Sequence, residues 1–283
     1  MSLFKGEGLT LAAVQLRTDA GRREENQARA AELLADAARQ GAGLACLPAA
    51  FATGLNFPSI RKDATPLDGP VMTFLAEQAR THGLHIAAGV LLAEGRDIYD
   101  AAVLVGPSGE LLGVYRRASL WEGERDYLAA GEPLDALDTP LGRIGLQVSY
   151  DLRFPEASRR FLGQGVDVIV CVASLFTDFS HHVRSLARAR AADNQTALVL
   201  SSCSGENRFV GMSYVGRSCV VDGLVQGDEA DDADVLAEIP ARVREGVATA
   251  TVYPRKRRKA ADRLPFRADA EATWRTSYIW EGR

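Results

Sequence analysis

Gly145-Leu146-Gln147-Val148-Ser149-Tyr150-Asp151-Leu152-Arg153-Phe154-Pro155-Glu156 reads as a strand, a tight turn and the start of a helix. Ile144 to Val148 is a short, mostly apolar run of strand length. Pro155 lacks an N–H and has a fixed φ, so it suits the first turn of a helix rather than its interior. Ser149 falls at the bend between the two. A side chain at such a bend is presented outward, beside the backbone N–H groups of the turn. That geometry suits a nucleophile whose product oxyanion needs donors.

Working outward, strand and helix signals alternate. Leu9 to Leu16 reads as a strand and Arg22 to Gln40 as a helix, with Ala30, Leu33, Leu34 and Ala37 at helical spacing and Gly41 as a stop. Leu44 to Leu47 is a short buried strand ending at Pro48. Pro70 opens a helix that Gly83 closes, with Leu84 to Val90 and Ala101 to Val105 as strands and a Pro107-Ser108-Gly109 turn into Leu111 to Tyr115. In the second half, Val166 to Val172 is apolar except for Asp167, as expected of a strand buried on both faces. His181 to Asn194 reads as a helix and Ala197 to Ser202 as a strand. Tyr214 to Val221 and Val225 read as a hairpin around Asp222-Gly223, and Val235 to Ile239 as the last core strand. Pro240 is expected to open a helix reaching about Val247. Asp228 to Asp234 reads as a solvated acidic turn. This order implies one α/β domain with layered sheets.

The 283 residues, 47% hydrophobic and 25% charged, can bury a core without staples. A net charge of −4 argues against nucleic acid as the main partner. No run approaches the length of a membrane span, and Met1 to Gly8 is too polar and Gly-rich for a secretory signal. Cys46, Cys171, Cys203 and Cys219 form no C-x-x-C pair. The first, second and fourth lie in apolar strand-like runs, where a cysteine acts as a small hydrophobe. A cytoplasmic location is the expectation that follows.

The stretch quoted first is similar to the nucleophile motif of the nitrilase superfamily of carbon–nitrogen hydrolases, G-x-x-x-C-Y-D-x-R-F-P-E, with only the cysteine position differing. Other stretches resemble family patterns in the expected order. Gly41 to Ala49 resembles G-A-x-L-x-x-x-P-E, Tyr99 to Ala102 resembles Y-N-[ST]-A, and Tyr115 to Trp121 resembles Y-R-K-x-H-L-[FW]. Arg190 to Asn194 resembles R-A-x-E-N, and Gly216 to Asp222 resembles G-x-S-x-[IV]-x-D. The resemblance runs from about residue 9 to about residue 255. It implies an α-β-β-α sandwich in a single domain over 1–262, commonly paired through a two-fold interface. Residues 263–283 are then a C-terminal extension expected to pack on that interface. Tyr150, Ser174 and Phe176, beside the motif positions, become candidate ligand-binding residues.

The resemblance also implies a Glu–Lys–Cys triad, in which glutamate takes the thiol proton, lysine stabilises the oxyanion and cysteine attacks the carbonyl or nitrile carbon. The aligned residues are Ala49, Arg117 and Ser149. Ala49 cannot accept a proton. Arg117 keeps a positive charge, but a guanidinium stays protonated and is a wide planar fork rather than a compact ammonium. Ser149 is an alcohol, a far weaker acid than a thiol with its reference pKa of about 8.5. Loss of a general base alone costs about 10²- to 10⁴-fold in rate. Glu124 matches a second family glutamate that positions substrate. It is either a substitute base for Ser149 or the ion-pair partner of Arg117. Further departures are Ser119 for the family histidine, Asp193 for the glutamate of R-A-x-E-N, and Ala173-Ser174-Leu175-Phe176 for A-N-W-P.

Three functions are compatible with this pattern. The first is a non-catalytic small-molecule-binding or regulatory homologue of amide hydrolases. With one carboxylate lost and one cation kept, it would prefer an anionic or carboxylate-bearing ligand. The second is an altered amide hydrolase using Ser149 with Glu124 as base. The third is a structural subunit that partners an active paralogue, whereas the family default is a homodimer. No cofactor is expected, and no metal at the one histidine pair, because His181 and His182 would project about 100° apart on a helix. The run Arg255 to Lys259 reads as a solvated segment near the dimer edge. Signatures of other enzyme classes, such as a G-x-S-x-G elbow, a P-loop or a dinucleotide fingerprint, are absent.

Overall fold

A computed structural model describes residues 8–179, 181–224, 233–261, 263 and 265–274. In chain order the elements are β1 (Leu9–Arg17), α1 (Arg23–Arg39), β2 (Leu44–Leu47), α2 (Ile60–Asp63), α3 (Pro70–His82), β3 (His85–Glu94), β4 (Asp97–Val105) and β5 (Leu111–Arg116). There follow β6 (Leu137–Thr139), β7 (Gly142–Val148), α4 (Pro155–Gln164), β8 (Val168–Ala173), α5 (Val183–Asp193), β9 (Ala197–Ser204), β10 (Glu206–Asn207) and β11 (Met212–Ser213). The last are β12 (Cys219–Asp222), β13 (Val235–Glu238), β14 (Gly246–Val252), α6 (Pro254–Ala261) and α7 (Phe266–Trp274).

The large strands form two six-stranded layers, β5-β4-β3-β2-β1-β14 and β6-β7-β8-β9-β12-β13. They join where the ends of β1 and β9 pair, Leu16 with Cys203 and Arg17 with Ser204. Each layer has three central parallel strands, β1-β2-β3 and β7-β8-β9, with antiparallel strands outside them. Alternation along β1 shows why both faces are apolar. Leu11 and Ala13 face the second layer among Leu146, Val148, Val170 and Val220. Ala12, Val14 and Leu16 face outward onto Leu34 of α1 and Leu75 of α3. On the far side, Ile169, Cys171 and Leu198 pack under Val183 and Ala187 of α5. The result is the α-β-β-α sandwich that the resemblance implies.

Three readings of the sequence are corrected. Pro240 opens no helix: after a turn the chain enters β14, where Val247, Thr249 and Thr251 pair antiparallel with β1. Alternating β-branched residues belong in that extended register rather than in a helix. The expected hairpin from Tyr214 is shorter. Gly216 and Arg217 have positive φ, and only Cys219–Asp222 is strand, paired with β9 and with β13. Tyr214 instead bridges Phe176. The run Arg255 to Lys259 is not simply solvated. Arg257 is buried with its guanidinium on Asp222 at 2.8 Å, and Arg258 is held by Asp167, so α6 is clamped to the strand ends. The expectations for Met1 to Glu7, Val225, most of Asp228 to Asp234, and the end of the 263–283 extension lie outside the described residues. α7, within that extension, lies against α4.

Candidate active site

The quoted motif folds as read: β7 ends at Val148, a single 3-10 turn spans Ser149–Arg153, and α4 starts at Pro155. Ser149 has φ of 45°, in the left-handed region that non-glycine residues rarely occupy. The surroundings over-determine this bend. Asp151, fully buried, accepts the Val148 N–H at 3.2 Å, the Ser119 N–H at 3.1 Å and the Tyr115 hydroxyl at 2.8 Å. The Tyr115 oxygen in turn accepts the Ala118 N–H at 3.2 Å. Arg190 donates to the carbonyls of Leu152 and Arg153. Burial raises the Asp151 carboxyl above its ordinary range, against the hydrogen bonds and the Arg117 charge that favour its ionised form.

The residues read as functional gather where parallel strands end, the place where open α/β sheets bind ligands. Ala49 follows β2, Arg117 follows β5, Ser149 follows β7 and Ser174 follows β8. The Ala49 N–H donates to the Ala173 carbonyl at 3.4 Å, which ties the first layer to the second at this point. Gly89 of β3 lies directly beneath, so close that a Cβ there would sit 2.2 Å from the Ala49 Cα. Ser149 is 2% exposed. Its Oγ accepts the Ser174 N–H at 3.0 Å and lies 3.4 Å from the Ser174 hydroxyl.

Arg117, also 2% exposed, does not stand free. Its Nη2 lies 2.7 Å from Glu124 Oε2, and its Nε lies 3.5 Å from Asp100 Oδ2. Glu124 Oε2 also accepts the Trp121 N–H at 3.0 Å. Burial works against the Arg117 charge, but Asp100 and Glu124 outweigh it and hold the guanidinium more firmly protonated than usual. Asp100, 1% exposed, is pushed up to about 7, first by burial and then by the neighbouring carboxylates of Glu124 and Asp151, against the pull of Arg117.

Of the two readings of Glu124, the geometry matches the ion pair with Arg117. That pairing weakens the expectation of an anion-preferring pocket, because the retained cation already faces two carboxylates. The sequence reading did not single out Asp100. The signal was available, since Tyr99-Asp100-Ala101-Ala102 carries an acid where the pattern Y-N-[ST]-A carries an amide. Tyr150 is half-buried with its ring edge on Phe154, and Phe176 stacks on Tyr214 at 4.9 Å. His181 and His182 sit in the turn before α5, not on it, and both are exposed. All four cysteines are free and buried.

Residues 10–256 match the sequence pattern of the carbon–nitrogen hydrolase family. A nitrilase of Pyrococcus abyssi is 30% identical over 239 residues, which is 81% of this chain and 88% of that protein. A deaminated glutathione amidase of Bos taurus is 32% identical over 233 residues, 76% of this chain and 70% of that protein. Among solved structures, a CN-hydrolase superfamily protein of Xanthomonas campestris with an arsenic adduct in its active site superposes with a TM-score of 0.81. It is 26% identical and covers 93% of this chain and 97% of that one. With the layered fold, the strand–turn–helix motif and these matches together, the chain belongs to the carbon–nitrogen hydrolase family, the nitrilase superfamily.

Proposed function

We propose that this chain is a nitrilase-superfamily protein that binds a small molecule at the strand ends without hydrolysing it by the Glu–Lys–Cys route. The observation that carries this reading is the environment of Ser149 Oγ. Its hydrogen-bonding neighbours among the described residues are the Ser174 N–H and the Ser174 hydroxyl, neither of which is a base. Position 49, where the base belongs by resemblance, is a methyl group. Glu124, the candidate substitute, is engaged with Arg117 and the Trp121 N–H. An alcohol without a positioned base is a poor nucleophile near neutrality. The relative named as a deaminated glutathione amidase supports an amide as the class of molecule that this scaffold admits.

Intact-mass measurement after long incubation with an activated acyl ester tests the reading. The expected result is no adduct on Ser149. An adduct that disappears in Ser149→Ala would overturn it in favour of an altered amide hydrolase. A cytoplasmic homodimer with residues 263–283 at its interface belongs to the same proposal. Among the described residues, no helix is long and apolar enough to cross a membrane. Sedimentation of the full chain and of a form ending at residue 262 tests the assembly: the shortened chain is expected to dissociate more readily.

A further inference from the structure

We propose that the buried cluster of Asp100, Arg117 and Glu124 is a binding site for a small organic cation carrying N–H donors, a primary ammonium or an amidinium. The inference rests on the reading that this site binds rather than hydrolyses. Three observations lead to it.

The first is charge. Asp100, Glu124 and Asp151 surround a single cation, Arg117, and all four are buried. The other titratable groups at the site add no charge to offset them. Burial holds the Tyr115 and Tyr214 hydroxyls protonated and pushes the Cys203 thiol up to about 12. A buried carboxylate without full compensation is costly; below about pH 7 Asp100 answers that cost by taking up a proton, and above it a ligand cation supplies what is missing.

The second is hydrogen bonding. Both carboxylate oxygens of Asp100, and Arg117 Nε and Nη2 beside them, are buried without a hydrogen-bond partner among the described residues. The contact from Arg117 Nε at 3.5 Å is an ion contact and not a hydrogen bond. Native structures leave few such atoms orphaned. An ammonium offers three donors and no acceptor, which matches an acceptor-only carboxylate.

The third is place. Asp100 lies on the same face of β4 as Ala102 and Leu104, toward the second layer, and pairs with Leu91 near the end of β3. It therefore looks into the same strand-end region as Ser149. Glu124 and Ser174, at the site, retain 8% and 7% exposure.

The test uses three probes of one size and different charge, namely n-butylammonium, butyramide and butyrate. They are compared by thermal unfolding and calorimetry at matched ionic strength and about pH 8, where Asp100 is ionised. Butylammonium is expected to raise the unfolding midpoint with dose and butyrate to leave it unmoved. Asp100→Asn is expected to weaken butylammonium binding by about ten-fold or more. Stabilisation by butyrate in place of butylammonium, or full retention of the cation effect in Asp100→Asn, would overturn the proposal. If that variant does not fold, the order of the three probes on the unaltered protein decides. Consumption of butyramide would strike the non-hydrolytic reading. Failure of butylammonium with no butyramide consumed strikes this inference alone.

Discussion

Replacing Asp100 with asparagine removes a group whose titration should be visible in the stability of the whole protein. In the folded state the Asp100 carboxyl sits at about 7 against an ordinary 3.8, raised first by burial and then by Glu124 and Asp151. A carboxyl raised on folding binds its proton more tightly in the native state. Its contribution is therefore fully present below the unfolded value and is lost as pH rises through the folded one. The gap between 3.8 and about 7 corresponds to about 4 kcal/mol of stability lost across that window. Asparagine cannot titrate, and it keeps the shape and one acceptor oxygen. The Arg117–Glu124 contact remains in the variant, and Asp151, raised in the same direction, titrates in both proteins and cancels in the comparison. Urea unfolding at fixed ionic strength from about pH 4 to about pH 8 measures the difference. The unaltered protein should lose ground to Asp100→Asn as pH rises, by on the order of 1 M in midpoint. Parallel profiles, or a gain by the unaltered protein with rising pH, would refute the placement of Asp100 as a buried acid crowded by like charge.

Tyr115→Phe removes the hydroxyl that donates to Asp151 and accepts from Ala118, and should destabilise the fold by about 1–3 kcal/mol in chemical unfolding. Gly89→Ala places a Cβ against the backbone of Ala49, where nothing flexible can yield, and should cost about 1–3 kcal/mol or more in thermal or urea unfolding. Arg117→Met leaves Asp100 and Glu124 without their shared cation. A loss of about 3–5 kcal/mol is expected at pH near 8, shrinking at lower pH as Asp100 takes up its proton, and the same pH-resolved urea series reads it.

Part of this molecule is legible in one dimension. The Ser149 bend can be read because a strand, a turn residue and Pro155 follow one another in sequence, and each acts through its own backbone. The parallel strands can be read because apolar runs bounded by glycine and proline are local signals. β14 was not legible in this way. Val247 to Val252 becomes a strand because β1, more than two hundred residues earlier, offers an antiparallel edge. The basic run after Pro254 looked solvated until Asp167 and Asp222 were brought beneath it.

The site divides in the same way. By resemblance, the sequence by itself aligns Ala49, Arg117 and Ser149 with the family's three triad positions, because separate motifs that follow one another in the expected order can be matched without coordinates. In the same alignment it puts a cation, Arg117, and a carboxylate, Glu124, in those stretches. Only the tertiary structure decided what those charges do, because electrostatics depends on distance and burial and not on order along the chain. The packing of β4 against β3 brings Asp100 beside Arg117 and Glu124, out of water. A site that a count along the chain makes more positive is, once folded, one cation among three carboxylates.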